Sequence, residues 1–293
     1  MDKKNYIRGL TSGGIAFVLW GLLPLYWKIV SALNPYQIFV HRVVWSLIFV
    51  TLIMIQQKNI KIFLDLLKDK KNWWLTLGPA LFISINWLTY IWGVNNGYVI
   101  ETSLGYYMNP LVLTLLGSLY YKEQLDGLQK IGIGLAATGV MVKVIFYGKV
   151  PILALVLAIS FAIYGLLKKK SHLSSLMGLG FETLIVGIPA SIYLMFSEAS
   201  GQGIAGNLEP SFWILIAFSG IVTAVPLLLY AEGTKRLPLK VIGFLQYIAP
   251  TIGLCLGIFV FKEPFSMAEL IPFLIIWAGL LCFIYSQIRM LTT

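Results

Sequence analysis

Charge is scarce in this chain. Only 12% of its 293 residues are Asp, Glu, Lys or Arg, while 58% are hydrophobic. Soluble domains carry about 25% charged residues, and a water-facing surface of this size needs them. The scarcity excludes a soluble enzyme, a disordered protein and a nucleic-acid-binding domain. Negative charge is the scarcer sign, with 12 acidic residues against 22 basic ones and a net charge of +10. Cysteine and histidine number two each. Cys255 and Cys282 fall inside apolar runs, where they read as small core residues. Without C-x-x-C or a histidine cluster, no metal site is expected. No H-E-x-x-H and no Walker A sequence occurs, so neither an intramembrane metalloprotease nor direct use of ATP is expected. No cofactor is implied.

Long apolar runs are what the sequence has. A helix needs about 20 mostly apolar residues to cross a bilayer. Ten stretches qualify: 11–31, 35–56, 73–94, 98–120, 128–147, 150–167, 175–196, 212–232, 240–261 and 269–288. The runs are continuous and not alternating, which excludes an outer-membrane barrel. The first run is too long for a secretory signal and lacks a cleavage site, so it reads as retained. The expected fold is an all-α membrane protein of ten transmembrane helices. Basic residues sort to one side: 17 of the 22 lie in the connections or termini of a single face. That bias places both termini in the cytoplasm and turns the net charge into a topological signal.

The two halves match at a constant offset of 140 residues. Tyr90 pairs with Tyr230, Gly93 with Gly233, Tyr107 with Tyr247, Pro110 with Pro250, Lys122-Glu123 with Lys262-Glu263, and Gly139 with Gly279. The expected units are 11–147 and 150–289, each of five helices. Five is odd, so the second unit enters the membrane from the opposite side. Inverted repeats of this kind build carriers that open alternately to either side, with the site near the midplane. The expected function is therefore secondary transport of a small-molecule substrate across a lipid bilayer. The cargo is expected to be amphipathic or zwitterionic, because the cavity is aromatic with few charges. The alternatives are a channel or a polytopic membrane enzyme using the same cavity.

Charges at membrane depth are costly, about 2.5–3.5 kcal/mol on insertion scales, and so mark function. Arg42 and Glu182 differ by 140 and are repeat mates of opposite charge. They are expected to line the path, Arg42 for a substrate anion and Glu182 for a cation or a proton, with protons a candidate coupling ion. A direct bridge between them is a further expectation. His41 points about 100° away from Arg42 and reads either as a proton relay or as a buried hydrogen-bonded histidine. Glu101, Gly105 and Asn109 share one helical face, expected to look into the cavity, with Glu101 as a gate or a helix-dipole partner. Trp20, Asn86, Trp87, Tyr90, Tyr107, Tyr230, Gln246 and Tyr247 supply aromatic and hydrogen-bonding surface at depth. The run Lys168-Lys169-Lys170 reads as a topology determinant, and Lys28 as a snorkelling residue. Pro110 and Pro250 are expected as paired hinges. Gly134 with Thr138, and Gly253 with Gly257, are expected to allow close helix packing.

The residues resemble a known family. The motif residues are Trp20-Gly21, Pro24, Tyr26 and Lys28; His41-Arg42; Asn86-Trp87; the run Ser103-Leu104-Gly105-Tyr106-Tyr107-Met108-Asn109-Pro110; Tyr164-Gly165; and Gln246-Tyr247 with Pro250. Together they resemble the drug/metabolite transporter superfamily, with two EamA-type repeats and a RarD-like pattern over the whole chain. The resemblance implies a multi-pass permease of the bacterial inner membrane, with efflux as the direction. It adds Tyr26 and Tyr164 to the substrate-binding candidates. It also implies that helices 1–4 and 6–9 line the site while 5 and 10 are peripheral. Cargo, coupling ion and oligomeric state stay open.

Overall fold

A computed structural model describes residues 2–30, 33–96, 98–204, 209–262 and 267–292. Among these residues every regular element is helical. The order is α1 (Lys3–Ile29), α2 (Pro35–Gln56), α3 (Ile60–Lys68), α4 (Lys70–Asn95), α5 (Val99–Tyr120), α6 (Gly127–Tyr147), α7 (Ile152–Lys170), α8 (Ser175–Ala199), α9 (Pro210–Arg236), α10 (Leu239–Leu245), α11 (Ile248–Cys255), a π-helical turn (Leu256–Val260) and α12 (Met267–Thr292). In hydrocarbon each backbone N–H must bond within its own segment, and uninterrupted helices do this.

Nine segments of the described residues are long and apolar enough to cross a membrane. The exception among the ten expected runs is α5, a 22-residue helix. Glu101, Thr102, Ser103, Tyr106, Tyr107 and Asn109 crowd its first half and dilute its apolar character. Two further departures have physical causes. The connection 57–72 contains α3, which buries Phe63 against Phe181 at a centroid distance of 5.2 Å and leaves Lys61, Asp65 and Lys68 in water. The ninth expected run is broken: α10 ends at Leu245, and α11 restarts at Ile248. Pro250 has no N–H for the Gln246 carbonyl, so the ladder fails at that turn. Its mate Pro110 sits inside the unbroken α5.

Helix packing follows the repeat. Offset 140 relates α1, α2, α4, α5 and α6 to α7, α8, α9, α10–α11 and α12. The contact of α5 with α7 has its counterpart in that of α11 with α1. That of α1 with α9 has its counterpart in α7 with α4, and that of α2 with α9 in α8 with α4. The pairs α2–α8, α5–α10 and α6–α12 each map onto themselves. Close backbone contacts obey the same rule. A Cβ on Gly132 would lie 2.7 Å from the Gly279 carbonyl oxygen, and one on Gly139 would lie 2.8 Å from that of Pro272. Exchanging the halves turns the first contact into the second. The Tyr247 hydroxyl donates to the carbonyl of its own mate, Tyr107, at 3.3 Å. Lys122 and Lys262 share a left-handed backbone, with φ of 52° and 53°. Glu263, which completes the second Lys-Glu pair, lies outside the described residues.

The expected glycine motifs are not where the helices meet closely. No atom lies within 4 Å of a Cβ built on Gly134 or Gly253. Tight approach occurs instead at Gly132, Gly139 and Gly279 between α6 and α12.

Candidate functional site

The site is built around Arg42. In α2 it lies seven residues past Pro35, about 10 Å down the helix at 1.5 Å per residue. Glu182 lies equally far into α8 from Ser175, at the opposite end of the bundle. With a hydrocarbon thickness of about 30 Å, some 10 Å of membrane separates the two. They form no pair. The direct bridge is corrected on that geometry.

Arg42 stacks on aromatics. Its guanidinium carbon is 4.1 Å from the Trp87 ring centroid and 5.3 Å from that of Trp27. It lies within electrostatic reach of Tyr106, Tyr90 and Tyr26. Its Nε is buried without a hydrogen-bond partner. Among the described residues no carboxylate pairs with it. Tyr90 packs on Tyr106 at 5.8 Å between centroids. The Tyr26 hydroxyl donates to the Leu215 carbonyl at 2.5 Å, tying α1 to α9.

Tyr90 and Tyr106 expose 38% and 44% of their surface, and that surface faces inward. Tyr90 shares a face with buried Ile83 and Asn86 at i−7 and i−4, while Leu81, Ile85, Leu88 and Trp92 form the lipid face of α4. Tyr106 precedes exposed Leu115 by nine residues, which puts it on the opposite side of α5. The accessible tyrosines therefore open onto a space inside the bundle, near the helix ends where α2 and α5 begin.

The other end is closed. Glu182 is buried; its Oε1 accepts from Lys168 Nζ at 2.7 Å and its Oε2 from the Tyr164 hydroxyl at 3.2 Å. Lys168 is thus a buried ion-pair partner and not the loop cation expected of it. Tyr164 stacks on Tyr230 at 5.9 Å and 10°, and Trp20 and Phe161 pack against Tyr230 at 5.5 and 5.2 Å. Beyond this plug, Glu123 accepts from the backbone N–H of Leu239 at 2.8 Å and of Lys240 at 3.0 Å, sealing the start of α10.

Several expected site residues do different work. Asn86 donates to the Leu157 carbonyl at 2.8 Å and to Ser160 at 3.1 Å, locking α4 to α7. Glu101 accepts from the Leu153 N–H at 2.7 Å, and a Cβ on Gly105 would meet Leu157 at 2.8 Å. The face of Glu101 and Gly105 therefore packs on α7 and does not line the cavity, which meets the neighbouring face of Ser103 and Tyr106. Tyr107 is buried against Phe273 at 5.2 Å. His41 is buried beside Trp213 at 6.0 Å, with Nε2 unpartnered. Asn109 and Gln246 hold buried polar atoms without protein partners. Sequence reasoning missed Trp27 and Tyr106. Both adjoin residues it named, and only the rotation of each helix separates them.

Among the described residues no cluster of His, Cys, Asp and Glu could hold a metal. At the turn before α6, burial alone would raise the Asp126 carboxyl. Hydrogen bonds from Ser286 and from the Gln129 and Leu128 backbone, with the charge of Lys240, outweigh it and hold the group below its usual value.

A membrane bundle of two exchangeable halves around an internal aromatic cavity is the architecture of a membrane transporter. The chain belongs to the EamA-like transporter family, whose model matches residues 7–145 and again 148–285. It is a RarD-like permease of the drug/metabolite transporter superfamily. It is 44% identical to the uncharacterized transporter YojE of Bacillus subtilis, over 99% of this chain and 97% of that one. It is 38% identical to the protein RarD of Streptomyces exfoliatus, over 99% and 92%. The protein RarD of Escherichia coli is 34% identical over 98% and 97%. A solved crystal structure shares the fold with a TM-score of 0.72 at 18% identity, covering 95% of this chain and 96% of that one.

Proposed function

We propose that this chain is an alternating-access secondary transporter of the bacterial inner membrane, with ten membrane spans, both termini cytoplasmic, and export as its working direction. The units are 11–147 and 150–289, and α5 is the tenth span, held in place by α7 and α10. One observation carries the reading: repeat mates differ in accessibility. Tyr90 is 38% exposed while its mate Tyr230 is fully buried, and Tyr106 is 44% exposed while Gln246 is 5%. Lys28 and Ser103 are exposed while Lys168 and Gly243 are buried. Repeat-related positions thus hold an open end and a closed end. Exchanging their packing would close the first and open the second, which is alternating access between two related shapes.

With the termini inside, the open end is external. Arg42, Tyr26, Trp87 and Tyr90 then touch cargo in this state. Trp20, Tyr164, Tyr230, Gln246, Tyr247 and Asn109 meet it as the inner end opens, and Pro110 and Pro250 accommodate the change in α5 and α11. A proton is a candidate coupling ion through Glu182 once Lys168 withdraws. Unchanged pH-gradient dependence in Glu182→Gln would remove that coupling route. The test of transport is counterflow. Metabolites that accumulate in cells lacking the gene are loaded into proteoliposomes of the purified protein. Saturable counterflow is expected; flux linear in concentration would instead describe a channel.

A further inference from the structure

Resting on the transport reading above, we infer that the cargo is a small monoanion: one carboxylate on an apolar or aromatic body, without a compensating ammonium group. The guanidinium of Arg42 is the anchor. It is clamped between Trp87 and Trp27, and it pairs with no carboxylate among the described residues. A guanidinium held in this way presents a planar fork of donors, which matches a carboxylate in two-point geometry. The indole and phenol rings of Trp27, Trp87, Tyr90 and Tyr106 offer apolar area beside it for the rest of the molecule.

Among the described residues the cavity offers an ammonium group nothing equivalent. The two carboxylates expected to face it are both engaged: Glu182 with Lys168 and Tyr164, and Glu101 with the start of α7. The best ring faces for a cation are already taken by Arg42, whose charge repels a second cation nearby. A zwitterion would satisfy Arg42 and leave its own ammonium desolvated without an acid, which costs several kcal/mol of the binding it gained. The amphipathic half of the sequence expectation is kept by this chemistry, and the zwitterionic half is replaced.

The experiment uses purified full-length protein in detergent and matched probes that differ in charge. Three carboxylates of different body, namely 3-phenylpropionate, 4-hydroxybenzoate and octanoate, are compared with phenethylamine, phenylalanine and octylamine. Binding is read both as thermal stabilisation and as quenching of tryptophan fluorescence. At least one carboxylate should stabilise saturably, and its amine and zwitterion counterparts should not. Arg42→Gln should raise the half-saturating concentration at least about tenfold, or ~1.4 kcal/mol. Trp87→Leu, which keeps the charge, should raise it less and keep the preference for carboxylate. The inference is overturned if no carboxylate binds, if phenylalanine or an amine binds as well, or if Arg42→Gln leaves binding unchanged. The transport reading fails separately: carboxylate binding through Arg42 with no counterflow would sink transport and keep the site. Counterflow indifferent to Arg42 would do the reverse.

Discussion

Glu182 and Lys168 form the buried ion pair whose removal is easiest to read. Taking one partner from such a pair strands a charge and costs about 3–5 kcal/mol, whereas replacing both is often near neutral. Glu182→Gln and Lys168→Met should each lower the thermal midpoint in detergent, and the double variant should recover most of the loss. If the losses simply add, the two side chains are not coupled as described. At this scale the sequence marked Arg42 and Glu182 as charges alone in apolar runs, but not their surroundings, which are aromatic rings for Arg42 and a buried Lys168 for Glu182. It was less legible where neighbours compete for one role. Tyr106 and Tyr107 differ by one residue and 100° of rotation, and composition cannot say which faces the cavity. Glu101 illustrates the same limit. Its partner, the Leu153 N–H, is 52 positions away, and nothing local announces it.

Elements tell a parallel story. Eight of the ten apolar runs became single unbroken helices with ends close to those expected, because length and hydropathy decide them. The first helix begins at Lys3, earlier than its apolar run, since the polar residues before the run continue the helix back to the Asp2 cap. The amphipathic α3 was hidden inside a lysine-rich connection. The glycine pairs misled because spacing alone does not say which face meets a neighbour. Contact geometry now separates them. Gly279→Leu should disrupt the α6–α12 seam and lower the thermal midpoint and the yield of folded protein, while Gly134→Leu, with nothing within 4 Å, should leave both within error. Asp126 caps α6 with a capping box closed by Gln129. Its depressed carboxyl contributes stability above its ordinary value of 3.8 and loses it as the pH falls through the lower folded value. Acidification from about pH 5 to about pH 3 should therefore cost the parent protein more thermal stability than Asp126→Asn, and Asp126→Ala should be less stable by about 1 kcal/mol at neutral pH. Equal acid sensitivity in Asp126→Asn would show that the carboxyl carries no such stability.

At the scale of the whole molecule, the 140-residue offset was the most informative signal in the chain. It paired Gly139 with Gly279 as mates, and the structure shows both at the α6–α12 seam, in the contacts Gly139 with Pro272 and Gly279 with Gly132. It could not anticipate which end would be open, because a repeat offset is compatible with either shape and the difference lies in packing. Labelling can follow that exchange. In a background with Cys255 and Cys282 replaced by serine, Ser103→Cys should react with a membrane-impermeant thiol reagent from outside, and Tyr230→Cys should react only from inside, as that end opens. Labelling of Tyr230→Cys from outside at the same rate as Ser103→Cys would contradict a closed inner end.

Arg42 also bears on the rhythm of the cycle. In the proposed cycle, shutting the outer end would take the guanidinium out of water, and no side chain among the described residues stands ready to neutralise it. A carrier holding an anion escapes that penalty, because the cargo supplies the missing charge. An unloaded carrier would not, so its return is expected to be the slow step. One-for-one exchange should then outpace net efflux by the ratio that this penalty sets. Each additional 1.4 kcal/mol widens the gap about tenfold, and Arg42→Gln, which removes the penalty along with the anchor, should narrow it.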